Sequence, residues 1–133
     1  MDRVTHFHIP AHNMKRAKNF YKEIFDWDFV ETGMNRDYTM AITVPIDENQ
    51  IPTEPGAING AIFQKERPDE SPSVVMKVSD IQESIRKIED AGGKVISSVE
   101  TVEDFGLFAE VKDTEGNTIG LWQDLQGSKL FYV

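Results

Sequence analysis

The chain has 133 residues, a formal net charge of −9 at pH 7 and no cysteine. This length suits one domain with a buried core, and the missing cysteine excludes disulfides, thiolate metal sites and a cysteine nucleophile. The acidic charge argues against nucleic-acid or membrane partners, because phosphate backbones and anionic lipids repel it. We expect a cytoplasmic protein, since neither a signal-peptide pattern nor a stretch of transmembrane length occurs.

The first half of the chain predicts a β-α-β-β-β unit. A strand at Val4–Ile9 precedes a helix that Asn13 opens, and apolar residues recur on one face of this helix. These apolar residues are Met14, Ala17, Phe20, Tyr21, Ile24 and Phe25. Short β-branched or alternating runs then predict strands at Trp27–Thr32, Tyr38–Val44 and Ala57–Phe63, with a turn at Gly33–Asp37.

The second half predicts the same order of elements. A strand at Val74–Val78 leads to a helix that begins near Asp80, where Ser79 and Gln82 form a capping-box pattern. The helix carries Ile81, Ile85, Ile88 and Ala91, and the glycines at 92 and 93 end it. Further strands are predicted at Lys94–Ser98, Phe105–Val111 and Asn117–Gln123.

The two halves align with each other, which indicates an internal repeat. A shift of 67 residues places Asn13 on Asp80 and Tyr21 on Ile88, and Gly56–Ile62 matches Gly116–Trp122 at a shift of 60. A repeat of this size is typically one unit that buries its apolar face against its twin.

We therefore predict an α+β fold in which two paired β-α-β-β-β modules form a curved mixed sheet around a cup, with the helices on its outer face. The expected single domain, 1–133, consists of module 1 (about 4–64), a linker (65–72), module 2 (about 73–123) and an apolar tail (124–133). The tail ends in Leu130-Phe-Tyr-Val133 and suits packing on the body of the protein or on a second subunit, so we expect a homodimer.

Strand alternation selects the residues that line the predicted cup. His6 and His8 share one strand face, and the apolar pair Phe7 and Ile9 takes the other, which suits the helix side. The same reasoning directs Phe108, Glu110, Gly120 and Trp122 into the cup, and Gly60 lies within a predicted strand as Gly120 does. Glycine inside a strand marks a bend or a close backbone approach, here to a ligand in the cup.

Three interpretations of the histidines stay open. His6, His8 and Glu110 match a metal site of the two-histidine, one-carboxylate kind. Alternatively, His8 or His6 acts as a general base that Glu110 orients, which makes His8 and Glu110 the catalytic candidates. The histidines are otherwise ordinary hydrogen-bonded residues of a half-open sheet.

Three stretches resemble the vicinal oxygen chelate superfamily, which includes glyoxalase I, extradiol dioxygenases and bleomycin or fosfomycin resistance proteins. The stretches are His6–Trp27 with its Arg16-Ala-x-x-Phe-Tyr21 sequence, Val78-Ser-Asp-Ile81 with the later Ala-Gly-Gly helix end, and Phe108–Trp122. The resemblance implies this fold and places the family's metal-ligand positions at His6, Gly60, Ser73 and Gly120. Of these only His6 binds a divalent metal well, so a glyoxalase I activity is not expected.

The sequence thus supports three functions. The first is the binding or transformation of a small organic molecule in the cup without the full standard metal site, as a lyase-like enzyme or a binding protein. The second is a metal-dependent lyase, isomerase or dioxygenase that uses His6 with substitute ligands. The third is a non-catalytic protein that sequesters its ligand, as antibiotic-resistance members of the superfamily do. The cofactor is unknown, and a divalent metal is not the favoured one.

Overall fold

The computed structural model describes residues 1–32 and 37–125. The chain divides into two compact units, one of which comprises His6–Pro72, while the other comprises Met1–Thr5 and, among the described residues, 73–125. The boundary falls at the end of the predicted linker. Residues 33–36 of the predicted turn and residues 126–133 of the predicted tail lie outside the described residues.

Module 1 has the predicted β-α-β-β-β order. Its elements are β1 (Arg3–Ala11), α1 (Met14–Phe25), β2 (Asp28–Glu31), β3 (Tyr38–Ile42) and β4 (Asn59–Gln64). The strands lie in the order β2-β3-β4-β1. β1 and β4 are parallel, whereas β2, β3 and β4 pair antiparallel.

Module 2 repeats this plan with one additional strand. Its elements are β5 (Ser73–Lys77), α2 (Ile81–Asp90), β6 (Lys94–Val95), β7 (Glu100–Val102), β8 (Gly106–Lys112) and β9 (Thr118–Asp124). The order is β5-β9-β8-β6, and the short β7 also pairs with β8. The α+β class and the two β-α-β-β-β modules are confirmed, while β7 was not predicted.

Side-chain caps define where both helices begin. The Asn13 side chain accepts a hydrogen bond from the Arg16 N–H at 2.9 Å, as predicted. In α2 the cap is Asp80, whose carboxylate accepts from the Glu83 N–H at 3.0 Å. The predicted Ser79 cap is therefore wrong by one residue. Asp80 also brings a charge to the positive end of the helix dipole.

Each helix packs on one face of its own module. Ala11, Met14, Ala41 and Ile62 form the buried cluster between α1 and its sheet, and Phe7, Ile9, Ala17 and Tyr21 pack against it. In module 2 the corresponding cluster contains Val78, Ile81, Ala109, Val111 and Leu121. Burial of these apolar side chains is the main stabilising contribution in each module.

The apolar face of α1 is wider than the surface that the sheet covers. Met14 is buried and Tyr21 half-buried, but Phe20, Ile24 and Phe25 are 53%, 57% and 56% exposed. Phe20 belongs to the predicted apolar face, which is expected to pack in the core, but it is exposed because the sheet contacts only the narrower stripe around Met14, Ala17 and Tyr21. No helix among the described residues is long and apolar enough to cross a membrane.

Candidate functional site

The two histidines of β1 lie on the sheet face opposite α1. Phe7 and Ile9 pack against the α1 cluster, so the alternation of side chains along a strand directs His6 and His8 to the other face. Both are buried, at 3% and 8% exposure. Their ring centroids are 5.4 Å apart, which makes them one cluster within module 1.

His8 contacts a tyrosine across the intervening strand. Its Nε2 lies 2.9 Å from the Tyr38 hydroxyl, although β4 separates β1 from β3. His8 pairs with Ala61 on β4, and this small side chain leaves room above the strand. The Phe63 ring forms a side wall, with its centroid 5.7 Å from that of His8 and 6.5 Å from that of Tyr38.

Burial shapes the ionisation of this cluster. Loss of water, together with the nearby His8, holds the pKa of His6 well below its ordinary value of 6.5. Burial also raises the pKa of Tyr38. At neutral pH the imidazole of His6 and the phenol of Tyr38 are therefore both uncharged.

Asn59 joins this face and was not among the residues predicted from the sequence. It pairs with His6 in the parallel β1–β4 ladder, which places both side chains on the same face. Its Oδ1 accepts from the backbone N–H groups of Thr43 at 2.8 Å and Val44 at 3.1 Å. We call His6, His8, Tyr38 and Asn59 the polar face of module 1.

Asn59 directly precedes Gly60, the residue that the sequence analysis selected for the cup. Gly60 was predicted to face the cup, but a Cβ added to it would overlap the Phe7 carbonyl oxygen and lie 2.6 Å from two Phe7 ring carbons. Gly60 therefore faces the α1 side, where Phe7 packs. A larger residue at this position would displace Phe7. The neighbour of His6 on the polar face is Asn59, one position earlier.

The remaining predicted site residues lie in module 2. Leu107, Ala109 and Val111 pack towards α2, so Phe108 and Glu110 take the opposite face of β8. A Cβ added to Gly120 would lie 3.0 Å from the Phe108 ring, which places both residues on the same side. Trp122 is buried and its Nε1 donates to Asp124 at 2.7 Å. We call Phe108, Gly120 and Trp122 the aromatic face of module 2.

The side chains at the family's metal positions do not fit a four-ligand cation site. His6 offers an imidazole nitrogen, but Gly60 faces Phe7, Gly120 has no side chain and Ser73 offers only a hydroxyl. Among residues 1–32 and 37–125, no group of three or more His, Cys, Asp or Glu side chains is placed to hold a metal. The predicted set of His6, His8 and Glu110 stays a hypothesis, and metal analysis of the protein purified without an affinity tag is its test.

Comparison with known proteins identifies the family. Residues 3–121 match the model of the Glyoxalase/Bleomycin resistance protein/Dioxygenase superfamily. The chain belongs to this superfamily. It is 30% identical over 123 residues to a glyoxylase-like domain-containing protein of Didymella fabae, across 86% of this chain and 88% of the relative.

Solved structures share the fold of this superfamily member at low sequence identity. Methylmalonyl-CoA epimerase from Mycobacterium tuberculosis superposes with a TM-score of 0.66 and 12% identity, across 92% of this chain and 87% of the epimerase. An E144Q mutant of glyoxalase I from Zea mays gives a TM-score of 0.67 and 16% identity, across 96% of this chain and 46% of the enzyme. These similarities show the fold alone, because fold does not determine chemistry.

Proposed function

We propose that this superfamily member binds a small organic molecule on the polar face of module 1, with His8 and Tyr38 as its central polar contacts. The observation that carries the proposal is the hydrogen bond of 2.9 Å between His8 Nε2 and the Tyr38 hydroxyl beside the Phe63 ring. Two ionisable groups in hydrogen-bond contact next to an aromatic wall are typical of sites that orient a ligand.

Tyr38 is suited to bind without carrying a charge. Tyr38 keeps its proton at neutral pH because burial raises its pKa, so its hydroxyl can donate to or accept from His8. The tautomer of His8 determines which of the two groups donates in their hydrogen bond of 2.9 Å, and this bond holds the imidazole in one orientation towards a ligand.

The same pair supports a proton-transfer activity as the catalytic form of this proposal. The imidazole of His8 would accept a proton from a carbon next to a ligand carbonyl and later return it, while Tyr38 holds the imidazole in one orientation. Glu110 stays the second catalytic candidate, since the sequence predicts that it orients His8. Exchange of ligand protons for deuterium, followed by NMR, separates this activity from simple sequestration.

A ligand screen by thermal melting tests the binding proposal. The probes are compact carbonyl and carboxylate compounds together with methylmalonyl-CoA, which we include because an epimerase of that compound shares the fold. A ligand at 100 times its dissociation constant stabilises the folded state by about 2.7 kcal/mol, and the melting temperature rises accordingly.

Two histidine variants sharpen this screen. In His8→Asn we expect at least a tenfold loss of affinity for any hit, because the contact with Tyr38 and the ring nitrogens is lost. His12→Asn makes the same change at an exposed histidine of module 1 and should bind like the unmodified protein. Equal affinity of His8→Asn and His12→Asn would refute the proposal.

The sequence predictions about oligomeric state and cellular location stay proposals. We propose a homodimer and a cytoplasmic location. Sedimentation velocity of the full chain tests the dimer, and fractionation of the source cells tests the location.

A further inference from the structure

We infer that the ligand presents an oxygen atom to the side-chain amide of Asn59, so that this residue is an oxygen-binding donor beside His6. The inference rests on the proposed binding function and names the ligand chemistry that the polar face of module 1 recognises. It begins from a buried donor that has no acceptor.

Asn59 is 1% exposed, and its Nδ2 has no hydrogen-bond partner among the described parts of the chain. Gln50 Oε1 is the other buried side-chain atom in this condition there, but it is an acceptor in the segment between β3 and β4. A buried donor without an acceptor destabilises the folded state, because it has lost its hydrogen bond to water and gained none in return. Native structures rarely keep such a group without a reason.

The hydrogen bonds determine which amide atom lacks a partner. The oxygen and nitrogen of an asparagine side chain are assigned from their surroundings. Here the atom near Thr43 and Val44 faces two backbone N–H groups, and only oxygen can accept from both. The other atom is therefore the NH₂ group.

This arrangement selects an acceptor and disfavours a cation. The acceptor atom of Asn59 is already engaged by two donors, so only N–H groups are left to meet a ligand. The remaining N–H groups suit a carbonyl or carboxylate oxygen, whereas a metal ion needs a ligand atom with a free lone pair.

The ligand oxygen would supply the acceptor that the protein lacks. Nδ2 is buried, so a ligand oxygen beside it takes the place of an acceptor from the chain. A hydrogen bond completed in the bound state alone adds to affinity, and the site thereby discriminates against molecules without an oxygen there.

A conservative variant tests the inference. Asn59→Asp keeps an oxygen that accepts from Thr43 and Val44 but replaces the NH₂ donor with a second acceptor. The probes are pyruvate, acetoacetate, 2-pentanone and methylmalonyl-CoA, titrated into the unmodified protein and the variants. We expect at least a tenfold loss of affinity in Asn59→Asp for each probe that binds. Asn19→Asp, the same change at an exposed residue of α1, should leave affinity unchanged.

A measurement on the unmodified protein applies even if Asn59→Asp does not fold. In ¹⁵N-labelled protein we expect a bound probe to shift the side-chain NH₂ signals of Asn59 more than those of Asn19. Probe binding without this difference, or equal affinity in Asn59→Asp, would overturn the inference alone. Absence of binding by all four probes would count against the proposed function and the inference together.

Discussion

The two modules share one packing plan but carry different chemistry on the face away from the helix. Each module buries a similar apolar cluster between its helix and its strands, which contains Ile62 in module 1 and Ile81 in module 2. On the other face, module 1 places His6, His8, Tyr38 and Asn59, whereas module 2 places Phe108, Gly120 and Trp122. The two modules are therefore alike in the apolar clusters that stabilise the fold. They differ on the faces away from the helices, where a specific function can reside.

The largest effects should come from the clusters that the modules share. Ile62→Ala and Ile81→Ala each remove a fully buried side chain and should each lower the free energy of unfolding by about 2–5 kcal/mol. Urea denaturation measures both values. If the modules are equivalent on the helix side, the two losses agree within about 2 kcal/mol, the spread that one such substitution shows among different buried sites. A loss confined to one variant would show that only one module needs its cluster.

Alanine substitution of the strand glycines should lower the free energy of unfolding by different amounts in the two modules. A Cβ on Gly60 overlaps a backbone oxygen of Phe7, whereas a Cβ on Gly120 meets side-chain atoms only, a Val75 methyl group at 2.9 Å and the Phe108 ring at 3.0 Å. We expect Gly60→Ala to cost about 3 kcal/mol of unfolding free energy and Gly120→Ala about 1 kcal/mol, the range of overpacked cores. Thermal denaturation of both variants checks this order, and the reverse order would contradict the packing described.

Removal of a tyrosine hydroxyl should lower ligand affinity at Tyr38 but not at Tyr21. Tyr38→Phe removes the hydrogen bond to His8 and should lower the free energy of unfolding by about 1 kcal/mol, with a loss of ligand affinity. Tyr21→Phe is the matched control, because the Tyr21 ring stacks on Trp27 at 4.6 Å and keeps this contact without its hydroxyl. Equal ligand affinity in both variants would remove Tyr38 from the site.

The effect that is absent at neutral pH should be a dependence of stability on pH. The pKa of His6 is lower in the folded protein than in the unfolded chain, so below about pH 6.5 the unfolded chain binds the extra proton. His6 then leaves stability unchanged above this pH and reduces it as the pH falls towards the folded pKa, by at most about 1.4 kcal/mol per pH unit. In His6→Gln this loss should disappear from urea denaturation curves recorded at pH 7.5, 6.5 and 5.5. An unchanged slope would contradict the burial of an uncharged His6.

The sequence predicted the fold well because its patterns are local and repeated. Asn13 and the apolar spacing of α1 predicted the first helix, and the matching residues after Asp80 predicted the second. The short β7 was missed because three residues carry too little periodicity. Phe20 was misplaced because amphipathic spacing gives the direction of an apolar stripe, not the width that a sheet covers.

The candidate site was predictable only where alternation within one strand was sufficient. His6 and His8 follow from the apolar Phe7 and Ile9 between and beside them. Tyr38 and Asn59 depend on the register between strands, which a single sequence does not determine. Gly60 attracted attention as a glycine within a strand, although its neighbour Asn59 carries the polar group.

The most direct test is an NMR titration of the full chain with the strongest ligand from the melting screen, with labelled histidine, tyrosine and tryptophan rings. The account predicts that the ring signals of His8 and Tyr38 shift most and that both saturate at the same ligand concentration. If these signals stay unchanged while the Trp122 indole signal of module 2 saturates, the ligand does not bind to the polar face of module 1.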